Sequence, residues 1–404
     1  MLRSSLGFHT MSMFLRLTRE EAERLIGNFY NYCVQTGEIR MRISIKLPNG
    51  KIEWKEYKPK LSGKRLILPY ELHIGYSDWN KDRGIRWRLI LNNQNMTFTN
   101  YIVEVTINPK ILSKNNDYIT AADCGDLFKA AVDFNNISGK ISPLLVPFEK
   151  YYLKRVDYCV NFSVNELAPG CTIEQIIILI KRGDIPSNYK EYTEYDDKSH
   201  RKKSSPDSFY LESKSITINC YRKSKELQDR REKGSTIITQ EIINEAEDII
   251  RFEVQCKYHK VYSLLKSVNE STSFFNKYSD LLGYKACLLP INCYYKVTIG
   301  AGDWYSLSEA QKIIEKCGFN KQKAERLLNV LREVSQCRSL AEAKAKHQDS
   351  DLAAFKRTVK DLADIGINPV TIPREWSIKH IPNLLHTFLD MDHAREFFPE
   401  IPLI

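Results

Sequence analysis

The stretch ITINCYRKSKELQDRREK, residues 216–233, decides how the rest of the chain is read. From Ile216 to Tyr221, apolar and polar side chains alternate and β-branched residues are frequent, the pattern of a strand with one buried face. The second half is charged and built of helix formers, so strand passes into helix at Tyr221, with Arg222 and Lys223 beside it. Such a tyrosine has two readings. It ends a strand in front of a solvated helix face, or it is a hydroxyl placed among cations to do chemistry.

Working outward, similar strands recur: IRMRISIKL (39–47), IRWRLILN (85–92), NYIVEVTINP (100–109), LKRVDYCVNFSV (153–164) and DIIRFEVQC (248–256). Asn49-Gly50 suits a hairpin turn. FYLESKSITINCYRK reads as a two-stranded unit or one bent strand. Helical patterns cover 18–34, where Thr18 and Glu21 form a capping box, and then 119–136, 172–182 and Lys223 to Lys233. The N-terminal residues are expected to lead straight into the first helix. Residues 186–208 mix opposite charges with Ser and Pro and are expected to form a mobile loop. From residue 303 the periods are helical, with Ser306, Ser308, Asn320 and Asp349 as expected N-caps. The class expected is α+β: an antiparallel-sheet domain followed by a helical, winged-helix or helix-turn-helix domain. The expected divisions are 1–84 (N-terminal helix and strands, part of the catalytic region), 85–300 and 303–404. Lys312, Lys316, Lys321, Lys323 and Arg326 would suit DNA, although a packing module with solvated cations gives the same periodicity.

The chain has 404 residues, 43% of them hydrophobic, enough for globular cores. Its formal net charge of +10 favours a polyanion as partner, with nucleic acid first. None of the ten cysteines forms a CxxC pair, and the longest apolar run is too short to span a bilayer, so a reduced, cytoplasmic protein without membrane contact is expected. The phosphate-cradling signatures G-x-x-x-x-G-K-[ST] and G-x-G-x-x-G are missing, as are H-x-H and H-E-x-x-H.

What remains is a style of strand with one acid among apolar neighbours: Asp157 in RVDYCV, Glu253 in RFEVQ and Glu104 in IVEV. Each alone reads as an exposed strand residue. On one sheet face, three carboxylates would offer the oxygen ligands that Mg²⁺ or Mn²⁺ requires. Beside such a metal, Tyr221 gains a reaction. A phenol with pKa near 10 is a poor nucleophile, but cations and a polarised phosphate lower the barrier and would yield a 5′-phosphotyrosine link. Lys223 would stabilise the developing charge if the strand continues that far.

The succession RVDYCVNF, ITINCYRKSKELQ, IIRFEVQCKYHK resembles the replication endonucleases of filamentous bacteriophages, the gene II and gene X family. More distantly it is similar to single-tyrosine rolling-circle plasmid initiators and related relaxases. The resemblance runs from about residue 85 to 375 and rests on an R-x-D strand, a Y-x-K junction and an R-[FCY]-E strand in that order. It implies an HUH-like sheet without the histidine pair, acting as an origin nickase that cuts one strand and later rejoins it. Tyr221 would be the nucleophile and Lys223 its catalytic companion. Asp157 and Glu253 would be ligands of Mg²⁺ or Mn²⁺, with Glu104 matched by its strand alone. Arg155, Arg251 and Arg222 would contact DNA, with Arg251 equally suited to a structural role. Lys321, Lys323 and Arg326 of the helical domain would contact the duplex. Implied partners are double-stranded origin DNA, a locally single-stranded nick site and the host helicase and polymerase, with a homodimer as an open alternative to the monomer. Where plasmid relatives often carry a second Glu, this chain has Gln255. Tyr210 is the rival nucleophile. A conjugative relaxase and a non-catalytic DNA-binding regulator are the competing functions.

Overall fold

The computed structural model describes residues 4–389 except 48–51, 64, 77–81, 92–100, 115–116, 192–193, 197–200, 204, 206 and 269–281. Its centre is one sheet of eleven strands: β1 (Ser5–Leu17), β2 (Ile39–Lys46), β3 (Ile52–Glu56), β4 (Glu71–Tyr76), β5 (Ile85–Ile90), β6 (Tyr101–Ile107), β7 (Tyr152–Ser163), β8 (Lys190–Glu191), β9 (Ser208–Glu212), β10 (Ile216–Arg222) and β11 (Ile249–Lys257). The order is β8-β9-β10-β11-β7-β1-β6-β5-β4-β2-β3, and every neighbouring pair is antiparallel. The sheet therefore runs through the 84/85 division and draws on both flanking segments.

Strand alternation sorts the sheet into an apolar and a polar face. On the apolar face Phe252, Phe162 and Tyr158 are buried, and Tyr295 of a helix at Tyr284–Thr298 packs its ring 5.5 Å from Phe252 and 5.9 Å from Phe162. Farther along, the first helix, α1 (Arg19–Thr36), buries Leu25, Ile26 and Phe29, with Phe29 5.6 Å from Trp87. The expected capping box of Thr18 and Glu21 is formed. Most of the buried apolar residues, Leu6 and Phe388 among them, belong to one continuous core, which the apolar residues of the C-terminal helices join. Those helices cover Leu307–Lys316, Lys321–Cys337, Leu340–Ala345 and Asp349–Asp364, beside a small ribbon of Trp304–Tyr305 and His380–Ile381.

Four expectations change. The N-terminal residues do not lead straight into helix: β1 lies between β7 and β6 at the middle of the sheet. Its buried residues switch parity, Leu6 and Phe8 before His9 but Met11 and Met13 after it, because the pairing with β7 shifts register between Phe8 and Thr10. A bulge inserts one residue and resets the period, so neither a strand nor a helix repeat shows in the sequence. Residues 186–208 contain short strands, including a ribbon of Glu194–Asp196 and Arg201–Lys203. Asp349 is not a cap, since Gln348 holds that position, and Ser308 lies within the helix that Ser306 caps. FYLESKSITINCYRK resolves into the β9–β10 hairpin. Asn49-Gly50 lies outside the described residues.

Candidate active site

The register of four adjacent strands assembles the site on the polar face. Tyr221, Arg251, Asn161 and Ser5 form one row; Asn219, Glu253, Cys159 and Gly7 the next; Thr217, Gln255, Asp157 and Thr10 the third. His9, the bulge residue of β1, is turned into the middle row, a common use of bulges. Tyr221 is half-buried near the end of β10, and α2 (Lys223–Glu232) begins two residues later. A second small core of Ile119, Leu227, Ile238, Ile243, Ala246 and Ile249 walls this end of the sheet.

The Tyr221 hydroxyl donates to Glu253 Oε2 at 3.3 Å. His9 Nδ1 lies 3.5 Å from the same oxygen, and the Gln255 amide donates to Oε1 at 2.9 Å. Burial alone would raise the Glu253 carboxyl, but the His9 and Gln255 contacts and the Arg251 charge outweigh it and hold Glu253 ionised. Burial also keeps the His9 imidazole neutral, lowered to about 4 with help from Arg251 and Lys223 against Glu253. The expected activation of Tyr221 by cations is not what the resting site shows. Burial, then the Glu253 charge, raises the phenol well above its ordinary value, and Arg251 only partly opposes this.

Lys223 is the first residue of α2 rather than a continuation of the strand, and it is fully buried. Its Nζ contacts Glu226 at 2.7 Å, and burial, aided by Arg251, lowers it to about 8 despite that partner. Arg251 is also buried. Its Nε donates to Asn161 Oδ1 at 2.7 Å and its Nη2 to the Ile119 carbonyl at 2.6 Å. That carbonyl belongs to a segment pressed onto β1 by paired backbone bonds between Phe8 and Ala122. Only glycine fits beneath it, since a Cβ at Gly7 would lie 2.1 Å from the Ala122 oxygen.

Asp157 is buried one row from Glu253, with Arg155 Nε 2.8 Å from its Oδ1. Burial pushes its carboxyl up to about 8, with the Glu253 charge adding to the effect and Arg155 opposing it. Glu104 does not join them. It stands opposite Phe14 in β1, four residues beyond Thr10, the partner of Asp157, and it is neutralised by Arg88 at 2.6 Å and Lys154 at 2.5 Å. Three carboxylates therefore do not converge, and among the described residues no three His, Cys, Asp or Glu side chains gather as a metal cluster. Arg222 pairs with Glu174 at 2.5 Å. In the C-terminal helices Lys321 is exposed, Lys323 lies over the Phe319 ring, and Arg326 pairs with Asp361 at 2.5 Å. Tyr210 sits opposite Asn219, one strand outward on the same face as Tyr221.

The sequence reading missed His9 and Asn161. The bulge hides the first, and Asn161 reads as an ordinary strand residue. No family model matches the chain. No curated protein matches it either. Among solved structures, the rolling circle replication initiator protein from Geobacillus stearothermophilus is similar over 65% of this chain and 77% of its own, at 9% identity and a TM-score of 0.28. Among the described residues no helix is long and apolar enough to cross a membrane.

Proposed function

We propose that this chain initiates replication by nicking one strand of origin DNA, with Tyr221 as nucleophile and a 5′-phosphotyrosine intermediate. The observation that carries the proposal is the Tyr221 hydroxyl, half-buried at a strand end and donating to the ionised Glu253, with buried Arg251 and Lys223 alongside.

In the first step the Tyr221 oxygen bonds to phosphorus, its proton passes to Glu253, and the bond from phosphorus to the 3′-oxygen breaks. That oxygen takes a proton from solvent and leaves as a 3′-hydroxyl, and reversal rejoins the strand. Complete proton transfer before attack costs about 7 kcal/mol or more, taking a phenol near 10 and a carboxyl near 4.5 as the mildest case. A barrier near 17 kcal/mol corresponds to roughly one turnover per second, so the cost is tolerable and favours transfer in concert with bond formation. His9 and Gln255 keep Glu253 ionised and aimed at the phenol. Arg251 and Lys223 face the extra negative charge on the phosphoryl group.

Of the three expected carboxylates, Asp157 and Glu253 suit a divalent cation. They are diagonal neighbours, and burial, with the Glu253 charge adding to it, raises the Asp157 carboxyl, so a cation bound between the two would favour the ionised form that ligates it. Mg²⁺ often takes one or two carboxylates and completes its shell with phosphate and water. Bound there, Mg²⁺ or Mn²⁺ would polarise a phosphoryl oxygen. An HUH-like cleavage sheet with a winged-helix domain contacting duplex DNA through Lys321, Lys323 and Arg326 completes the proposal.

The test incubates supercoiled DNA carrying the sequence that flanks the gene with Mg²⁺ or Mn²⁺ and wild type, Tyr221→Phe or Tyr210→Phe. Nicked circles and a denaturation-resistant adduct are expected with wild type and Tyr210→Phe. If Tyr221→Phe still forms the adduct, Tyr221 is not the nucleophile. Tight binding by wild type without cleavage under either metal would mean a regulator.

A further inference from the structure

Behind the Tyr221 row lies a narrow cleft with room for a water-sized group, lined among others by Phe8, His9, Lys110, Thr120, Arg230 and Arg251. Two guanidinium groups reach it with unused donors. Arg251, fully buried, spends Nε and Nη2 on Asn161 and Ile119, and its Nη1 has no acceptor among the described residues. Arg230, mostly buried in α2, has none for Nε or Nη2. Among the described residues its nearest carboxylates, Asp82 at 3.7 Å and Glu226 at 4.0 Å, are too far for hydrogen bonds. Lys110 is already held by Asp117 and Thr120, so its charge is compensated, and the Asp117 carboxylate on the wall sets a limit on what can enter.

A buried guanidinium nitrogen without an acceptor is costly, and three such nitrogens belong to the two arginines that line this one small space. A base or sugar is too large for that space, whereas a single phosphate oxygen fits and offers lone pairs to both arginines. Resting on the nickase reading, we propose that this cleft grips one non-bridging oxygen of a DNA phosphodiester neighbouring the scissile one. Arg251 then links two places, since it faces the Tyr221 row and the neighbouring phosphate together. Arg230 is assigned here a DNA contact that its ordinary position in a charged helix does not announce.

The test measures the affinity of the full chain for single-stranded oligo(dT) of twelve nucleotides as a function of NaCl, for wild type, Arg230→Gln and Arg230→Lys. Each phosphate contact on a single strand contributes about 0.7 to the slope of log affinity against log salt. Arg230→Gln should lower the slope by about 0.7 and so weaken binding about fivefold at 0.1 M salt, and Arg230→Lys should restore most of the slope. An unchanged slope with Arg230→Gln overturns the proposal. So does Arg230-dependent thermal stabilisation by inorganic phosphate alone with the DNA slope untouched, which would make the cleft a site for the free anion. Arg230→Lys also controls for folding, because it keeps the charge in the same helix. A lost slope in a protein that never forms the covalent adduct would sink the nickase reading and leave the cleft standing. An adduct with an intact slope would do the reverse.

Discussion

Replacing Asp157 with Asn should stabilise the fold, an unusual result for a buried, ion-paired residue. The unfolded carboxyl titrates near 3.8, and the folded one is pushed up to about 8 by burial and by Glu253 in spite of Arg155. An acid whose folded value is raised leaves the protein most stable below the unfolded value and loses stability as the pH climbs towards the folded one. At pH 7 the gap spans about three units, or about 4 kcal/mol at 1.36 kcal/mol per unit. Asp157 is only 2% exposed, so solvent screening does not reduce this, but its coupling to Glu253 and the nearby Arg155 lower the expected gain to about 2–4 kcal/mol. At pH 5 the gap is about one unit, and the advantage shrinks below about 2 kcal/mol. Urea unfolding of wild type and Asp157→Asn at both pH values reads the difference directly. Added Mg²⁺ should stabilise wild type more than the variant, because a ligand raises stability in proportion to its binding to the native state. A variant destabilised by more than about 1 kcal/mol, equally at both pH values, would refute the reasoning and make Asp157 a structural partner of Arg155.

Glu104→Gln should leave nicking unchanged and cost about 1–2 kcal/mol in urea unfolding, since its pairs with Arg88 and Lys154 are partly exposed and remote from Tyr221. Lost nicking with intact folding would return Glu104 to the site. Arg251→Met should cost about 3–5 kcal/mol by stripping Asn161 and the Ile119 carbonyl of their donor, and its thermal transition should move down accordingly. His9→Ala should slow adduct formation about tenfold, because Glu253 loses a contact that keeps it ionised and aimed. An unaltered single-turnover rate would remove His9 from the mechanism.

The parts of the fold that were legible in the sequence are those where one face of a strand is buried and the period stays intact. β7, β10 and β11 carry clean alternation, and with them came Tyr221, Asp157 and Glu253 on one face. β1 was illegible because its bulge at His9 shifts the apolar residues from even to odd positions, leaving no steady repeat. The position of Glu104 was illegible for a different reason. A strand pattern gives the face of a residue but not its place along the register, and here the register sets Glu104 beyond the other two acids. The paired state of Lys223 depended on where β10 stops and α2 begins, a boundary that propensity does not fix to one residue.

The central claim is that the Tyr221 oxygen becomes bonded to a DNA 5′-phosphate. The most direct measurement digests the adduct formed by wild type with protease and nuclease and identifies the modified peptide by mass spectrometry. The account predicts a nucleotide on Tyr221 in the peptide spanning the β10–α2 junction. A nucleotide on Tyr210, or on any residue outside that junction, would contradict it.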